Sequence, residues 1–156
     1  YAAVSVSSSP LNLASAGGVH VTAGLSASAR RGWYGTGDGI GSLTATASLD
    51  GSFGSLEAFG GESPRVVAGL DYTRRVVSGA SPFAFDALSP LNQVTADVTV
   101  RLNRSWSLGA RATYDISGNA VGDLGFSVTN HHHCYDISAT WDEQLAEFGL
   151  GIRFTR

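Results

Sequence analysis

The chain has no lysine, no methionine and a single cysteine, Cys134. One thiol excludes an internal disulfide framework. All ten basic residues are arginines, a bias that suits a GC-rich genome better than a special role for arginine. Charged residues make up only 15% of the chain and the net charge is −3, which leaves no basic footprint for nucleic acid. Long apolar runs are missing too. The hydrophobic 43% is spread thinly over Ala, Val and Leu, and no stretch approaches the roughly 18–20 apolar residues of a membrane helix. Tyr1 opens directly in a β-like pattern with no charged leader before it, as expected of a mature or truncated chain. Helical periodicity is absent throughout. At 156 residues, a single domain over residues 1–156 is expected.

What is present is alternation. Val19, Val21, Ala23, Leu25, Ala27 and Ala29 interleave with His20, Thr22, Gly24, Ser26, Ser28 and Arg30, giving a strand with one apolar and one polar face. The same period runs through Leu43–Leu49, more weakly through Phe53–Phe59, and through Val66–Thr73, Val94–Leu102, Trp106–Ile116, Leu124–Thr129, Tyr135–Asp142 and Phe148–Phe154. With a less regular strand around Ala3–Ser9, the expectation is about ten strands. Asp50-Gly51-Ser52, Asn103-Arg104, Ser117–Ala120 and Asp142–Gln144 have the composition of tight turns, while Arg31–Gly41 and Val77–Gln93 read as longer connections. An up-and-down antiparallel meander of this kind removes its edges by closing into a barrel.

Alternation alone does not separate a membrane barrel from a soluble β-sandwich. Strand length, aromatic placement and the polar face favour the barrel. The strands reach the roughly 9–11 residues that a tilted membrane strand needs, against about 5–6 for ordinary strands. Trp106 and Tyr114, Tyr135 and Trp141, and Phe148 and Phe154 bracket apolar faces at both ends, as two membrane girdles would. The opposite face carries Asp97, Arg101, Arg111, Asp115, Asp123, Asp136 and Arg153 among Gly, Ser and Thr. That mixture suits a polar lumen in which charges pair across strands.

Chemical motifs are thin. His131-His132-His133-Cys134 has metal-binding residue types, but successive strand residues point to opposite faces, so a turn before a strand is the better reading and no metal is expected. Ser7-Ser8-Ser9 and His20 fall in no Gly-x-Ser-x-Gly context, and no spacing singles out a Ser-His-Asp triad. Gly35, Gly37 and Gly39 lack the helix a phosphate loop requires. No cofactor and no catalytic activity are expected.

Several segments resemble the last strands of the lipopolysaccharide-assembly barrel family (LptD, also called OstA). They are Ser81-Pro82-Phe83-Ala84-Phe85-Asp86, Pro90-Leu91-Asn92, Trp106–Ala110 and Tyr114-Asp115, followed by the Cys-bearing stretch Cys134–Trp141 and Glu147–Phe154. The resemblance implies a large outer-membrane barrel that inserts glycolipid into the outer leaflet, with this chain as its C-terminal arc. It implies as partners outer-membrane lipids, a glycolipid cargo, the barrel-assembly machinery and additional barrel segments. The family's paired cysteines are only half matched, by Cys134. Two alternatives stand beside it: a complete small barrel of eight to ten strands acting as anchor or narrow pore, and a soluble secreted β-sandwich that binds a ligand through its loops.

Overall fold

Strands with one apolar and one polar face satisfy their backbone groups only by pairing side by side, and short polar turns dictate that neighbours in sequence become neighbours in space. The computed structural model describes residues 1–35, 37–55, 64–80 and 91–154. These form β1 (Ala2–Ser7), β2 (Leu11–Ala16), β3 (Val19–Trp33), β4 (Gly39–Ser55), β5 (Pro64–Gly79), β6 (Leu91–Arg101), β7 (Trp106–Asp115), β8 (Ala120–His131), β9 (Tyr135–Asp142) and β10 (Glu147–Phe154). All ten lie in one sheet, every pairing is antiparallel, and from β3 to β10 the order in space is the order in sequence. The fold is all-β, an antiparallel up-and-down meander.

The ten strands differ from the ten expected. Asp50-Gly51-Ser52 is not a turn: it lies inside β4, with Gly51 opposite both Val21 and Ala68. Ladder partners on both sides outweigh the local turn preference of an Asp-Gly pair. Phe53 therefore continues β4, and the remainder of the expected Phe53–Phe59 strand lies outside the described residues. The tenth strand is β2, which shares an edge lane with β1. β1 pairs with residues 26–31 of β3 and β2 with residues 19–23, and a bulge falls between Asn12 and Ala14. Pro10 between them has no N–H for the ladder, which confines it to an edge or a break. Gly17 and Gly18, at φ 59° and 77°, supply the two positive dihedrals of the tight turn from β2 to β3.

The Gly-rich Arg31–Gly41 connection is shorter than expected. β3 and β4 stay paired as far as Trp33 and Gly39, and Tyr34 N–H donates to the Asp38 carbonyl at 3.0 Å. The Val77–Gln93 connection shrinks likewise, since β5 runs to Gly79 and β6 begins at Leu91; residues 81–90 lie outside the described residues. Turns at Gly17-Gly18, 102–105 and 132–134 gather at one end of the sheet, the near end, where Phe154 also lies. Turns at 34–38, 116–119 and 143–146 gather at the far end.

The sheet is open. β1 pairs only with β3 and β10 only with β9, so these strands do not close on themselves into the complete small barrel considered above. Nor does a second sheet lie over the first among the described residues, which removes the sandwich architecture. A single layer buries little, and what it buries is inverted. Ile40, 8% exposed, is the one buried hydrophobic residue among those described, while Thr95 and Ser107 on the polar face are each 7% exposed. On the other face Phe126 is 50% exposed and Leu150 75%.

Candidate functional site

Register places all seven charges expected on the polar face there. Asp97 lies opposite Arg111, Arg101 opposite Ser107, Thr113 opposite Asp123, and Asp136 opposite both His131 and Arg153. Hydroxyls ladder across the same face: Thr46 meets Thr73, and Thr95 meets Thr113, each at 3.2 Å. The expected cross-strand salt bridges do not form. Asp97 and Arg111 share a register position without an ion pair, and the His131–Asp136 contact at 3.0 Å is the one ion pair among the described residues. Asp115 serves a turn instead, its Oδ1 accepting from the N–H groups of Ser117 and Gly118. Asp142 accepts likewise from Leu145 N–H.

The six aromatics fall into two rows on the apolar side. Trp106, Tyr135 and Phe154 stand at the near end, with Tyr135 opposite Phe154. Tyr114, Trp141 and Phe148 stand at the far end, with Trp141 opposite both Phe148 and Phe126. Tyr114 Oη donates to Asn119 Oδ1 in the adjoining turn, so the ring is tied to the sheet's margin by its polar tip.

At the near end the polar face gathers its densest chemistry. His131 Nε2 lies 2.9 Å from Ser107 Oγ and its Nδ1 lies 3.0 Å from Asp136 Oδ1. The tautomer that satisfies both contacts has Nδ1–H donating to the carboxylate and Nε2 accepting the serine proton. Three strands contribute: β7 gives Ser107, β8 His131 and β9 Asp136. No sequence motif announces this trio. Its signal is parity, because the three fall on the polar face at the same end once the register is known.

The arrangement has the hydrogen-bond order of a nucleophile, base and orienting acid, and its surroundings decide what it does. A cavity of about 590 Å³ adjoins it, lined by Arg101, Arg104, Ser105, His131, His132, His133 and Asp136. Ser107 is not in that lining, and it is among the few buried residues. His131 and Asp136 are thus part of the cavity wall, and Ser107 holds His131 from behind it. The His-Cys run divides as turn geometry requires: His131 ends β8, His132 stacks on Tyr135 with centroids 4.7 Å apart, and Cys134 is exposed. The described residues contain no group of three or more metal-ligating side chains placed to hold a metal ion.

Residues 16–155 match the family described as "Protein of unknown function (DUF3769)". The chain belongs to that family. The match takes in everything from the end of β2 through β10, so both aromatic rows and the near-end cavity are part of the DUF3769 region. No curated protein and no solved structure matches the chain.

Proposed function

We propose that the chain is an arc in the wall of a bacterial outer-membrane β-barrel, with lipid against its apolar face, water against its polar face and further strands at its two open edges. One observation carries this reading: a ten-strand sheet exposes its apolar face and half-buries its polar one. In water such a face costs about 25 cal/mol for each Å² left wet, and soluble chains rarely leave contiguous apolar patches above a few hundred Å². In lipid the cost disappears. The two aromatic rows then sit where acyl chains meet headgroups, separated by six to eight residues, roughly 20–27 Å of strand, close to the apolar band of such barrels.

The kind of barrel is read from the C-terminal pattern, which resembles the lipopolysaccharide-assembly family. On that reading the complete protein inserts a glycolipid into the outer leaflet and is itself inserted by the barrel-assembly machinery. Single-tryptophan variants of the full chain in vesicles containing brominated lipid test the wall. A tryptophan from Phe126→Trp should be strongly quenched, and one from Thr99→Trp, on the polar face, should not. Equal quenching of the two overturns the membrane reading. Depleting the protein in cells tests the cargo: surface-exposed glycolipid should fall while its total is unchanged, and an unaltered surface pool removes the assembly role.

A further inference from the structure

Among the described residues, the arginines of the near-end cavity have no neutralising partner. Arg101 and Arg104 both line it, and neither makes a hydrogen bond or ion pair with a described residue. The one carboxylate in the wall, Asp136, is engaged by His131 at 3.0 Å. His132 and His133 complete the lining. Two guanidinium forks without carboxylate partners among the described residues, facing one cavity on a chain of net charge −3, suit an oxyanion.

The cavity is also built to hold its shape. Asn103 Oδ1 accepts from Ser105 N–H at 2.8 Å and Trp106 N–H at 2.9 Å, which fixes the turn carrying Arg104. The Ser105 carbonyl then accepts from His131 N–H at 2.7 Å and Asn130 Nδ2 at 3.2 Å, locking that turn to the end of β8. Buried Ser107 holds the His131 ring from behind. His132 N–H donates to the Tyr135 carbonyl at 2.9 Å while its ring stacks on Tyr135. These contacts serve the hairpins first, and an anion site also gains from groups fixed before the ligand arrives.

We propose that this cavity binds a phosphate monoester or inorganic phosphate, held by the Arg101 and Arg104 guanidinium groups with the histidine turn as its second wall. The proposal does not depend on what the apolar face meets. Phosphate fits the chemistry because its oxygens accept paired N–H bonds from arginine, and it carries enough charge to offset two guanidiniums.

The test uses the full chain refolded in detergent at pH 7, titrated calorimetrically with inorganic phosphate, with dihexanoyl phosphatidic acid below its micellar concentration, and with dihexanoyl phosphatidylcholine. We expect binding of phosphate, phosphatidic acid or both, and none of phosphatidylcholine. R101Q/R104Q should weaken it about tenfold or more, while Arg30→Gln, elsewhere on the polar face, should leave it unchanged. Binding of phosphatidic acid without inorganic phosphate assigns the ligand to a lipid headgroup; the reverse assigns it to the free ion. A substitution-free arm guards against a variant that does not fold: bound phosphate should protect Arg101 and Arg104 from phenylglyoxal, read by mass spectrometry. No binding of either phosphate source, equal loss in Arg30→Gln, or unprotected arginines overturns the site.

Discussion

Ser107 is where a structural brace and a catalytic chain would look alike. Its hydroxyl completes a hydrogen-bonded chain to His131 and Asp136, yet it is buried and outside the cavity lining, which favours the brace. Ser107→Ala should therefore cost about 1 kcal/mol of stability in detergent unfolding, the usual scale for one lost hydrogen bond. A fluorophosphonate probe should leave the folded chain unlabelled; covalent labelling at Ser107 would turn the brace into a nucleophile and displace the structural reading. These contacts lay beyond a residue-by-residue reading of the sequence. Ser107 and His131 stand 24 positions apart, and only the β7–β8 register brings them within reach. What was legible was parity: Asp97, Arg101, Arg111, Asp123, Asp136 and Arg153 share the face that alternation assigns them. That only Asp136 among them finds an ion-pair partner within the described residues, His131, was not legible, because ion pairing depends on side-chain reach across a twisted sheet.

For the strands, alternation carried most of the reading, and it failed where local chemistry and tertiary pairing disagreed. Asp50-Gly51-Ser52 has turn residues, but β3 and β5 flank it and its backbone groups are used on both sides. β2 escaped notice because Leu11–Ala16 is short, follows Pro10 and contains a bulge, so its period breaks within a few residues. The two faces of the β6–β7 pair give the cleanest test of the membrane reading. Ala110 lies on the apolar face opposite Val98 and Phe126, between Trp106 and Tyr114. Ala110→Arg should cost roughly 2–4 kcal/mol in a lipid refolding assay if it lies near the midplane. The polar-face control is Thr99→Arg, because Thr99 is exposed, whereas Thr113 is committed to the buried Thr95. Equal cost at both positions would mean that lipid does not meet the apolar face.

Over the whole molecule, the ends of the sheet are distinguished by their turns. On the proposed membrane reading, if β10 ends on the periplasmic side, the near end with its cavity faces the periplasm and the 143–146 turn faces outward. In intact cells carrying Cys134→Ser, a membrane-impermeant maleimide should label Gln144→Cys and spare Arg104→Cys; the opposite pattern reverses the orientation. The open edges make a second prediction. β10 is exposed along its whole length, and Phe154 is 80% exposed; on the proposed membrane reading its apolar side chains would serve recognition by the insertion machinery. Phe154→Ala should lower insertion in cells far more than refolding in detergent, and equal losses would mean the ring acts by packing alone.

The glycines of the polar face bear on shape. A methyl group at Gly69 would come within 2.7 Å of Asp97 Oδ1, at Gly149 within 2.6 Å of Thr140 Oγ1, at Gly151 within 2.9 Å of Ser138 Oγ and at Gly24 within 2.8 Å of Ser48 Oγ, and at Gly109 it would collide with Ser127 Oγ. Leucines, valines and rings fill the opposite face. Like the tapered stones of an arch, strands that are narrow on one face and wide on the other favour bending toward the narrow face. On the proposed barrel reading that face is the inside, and larger residues at these glycines would oppose the bend.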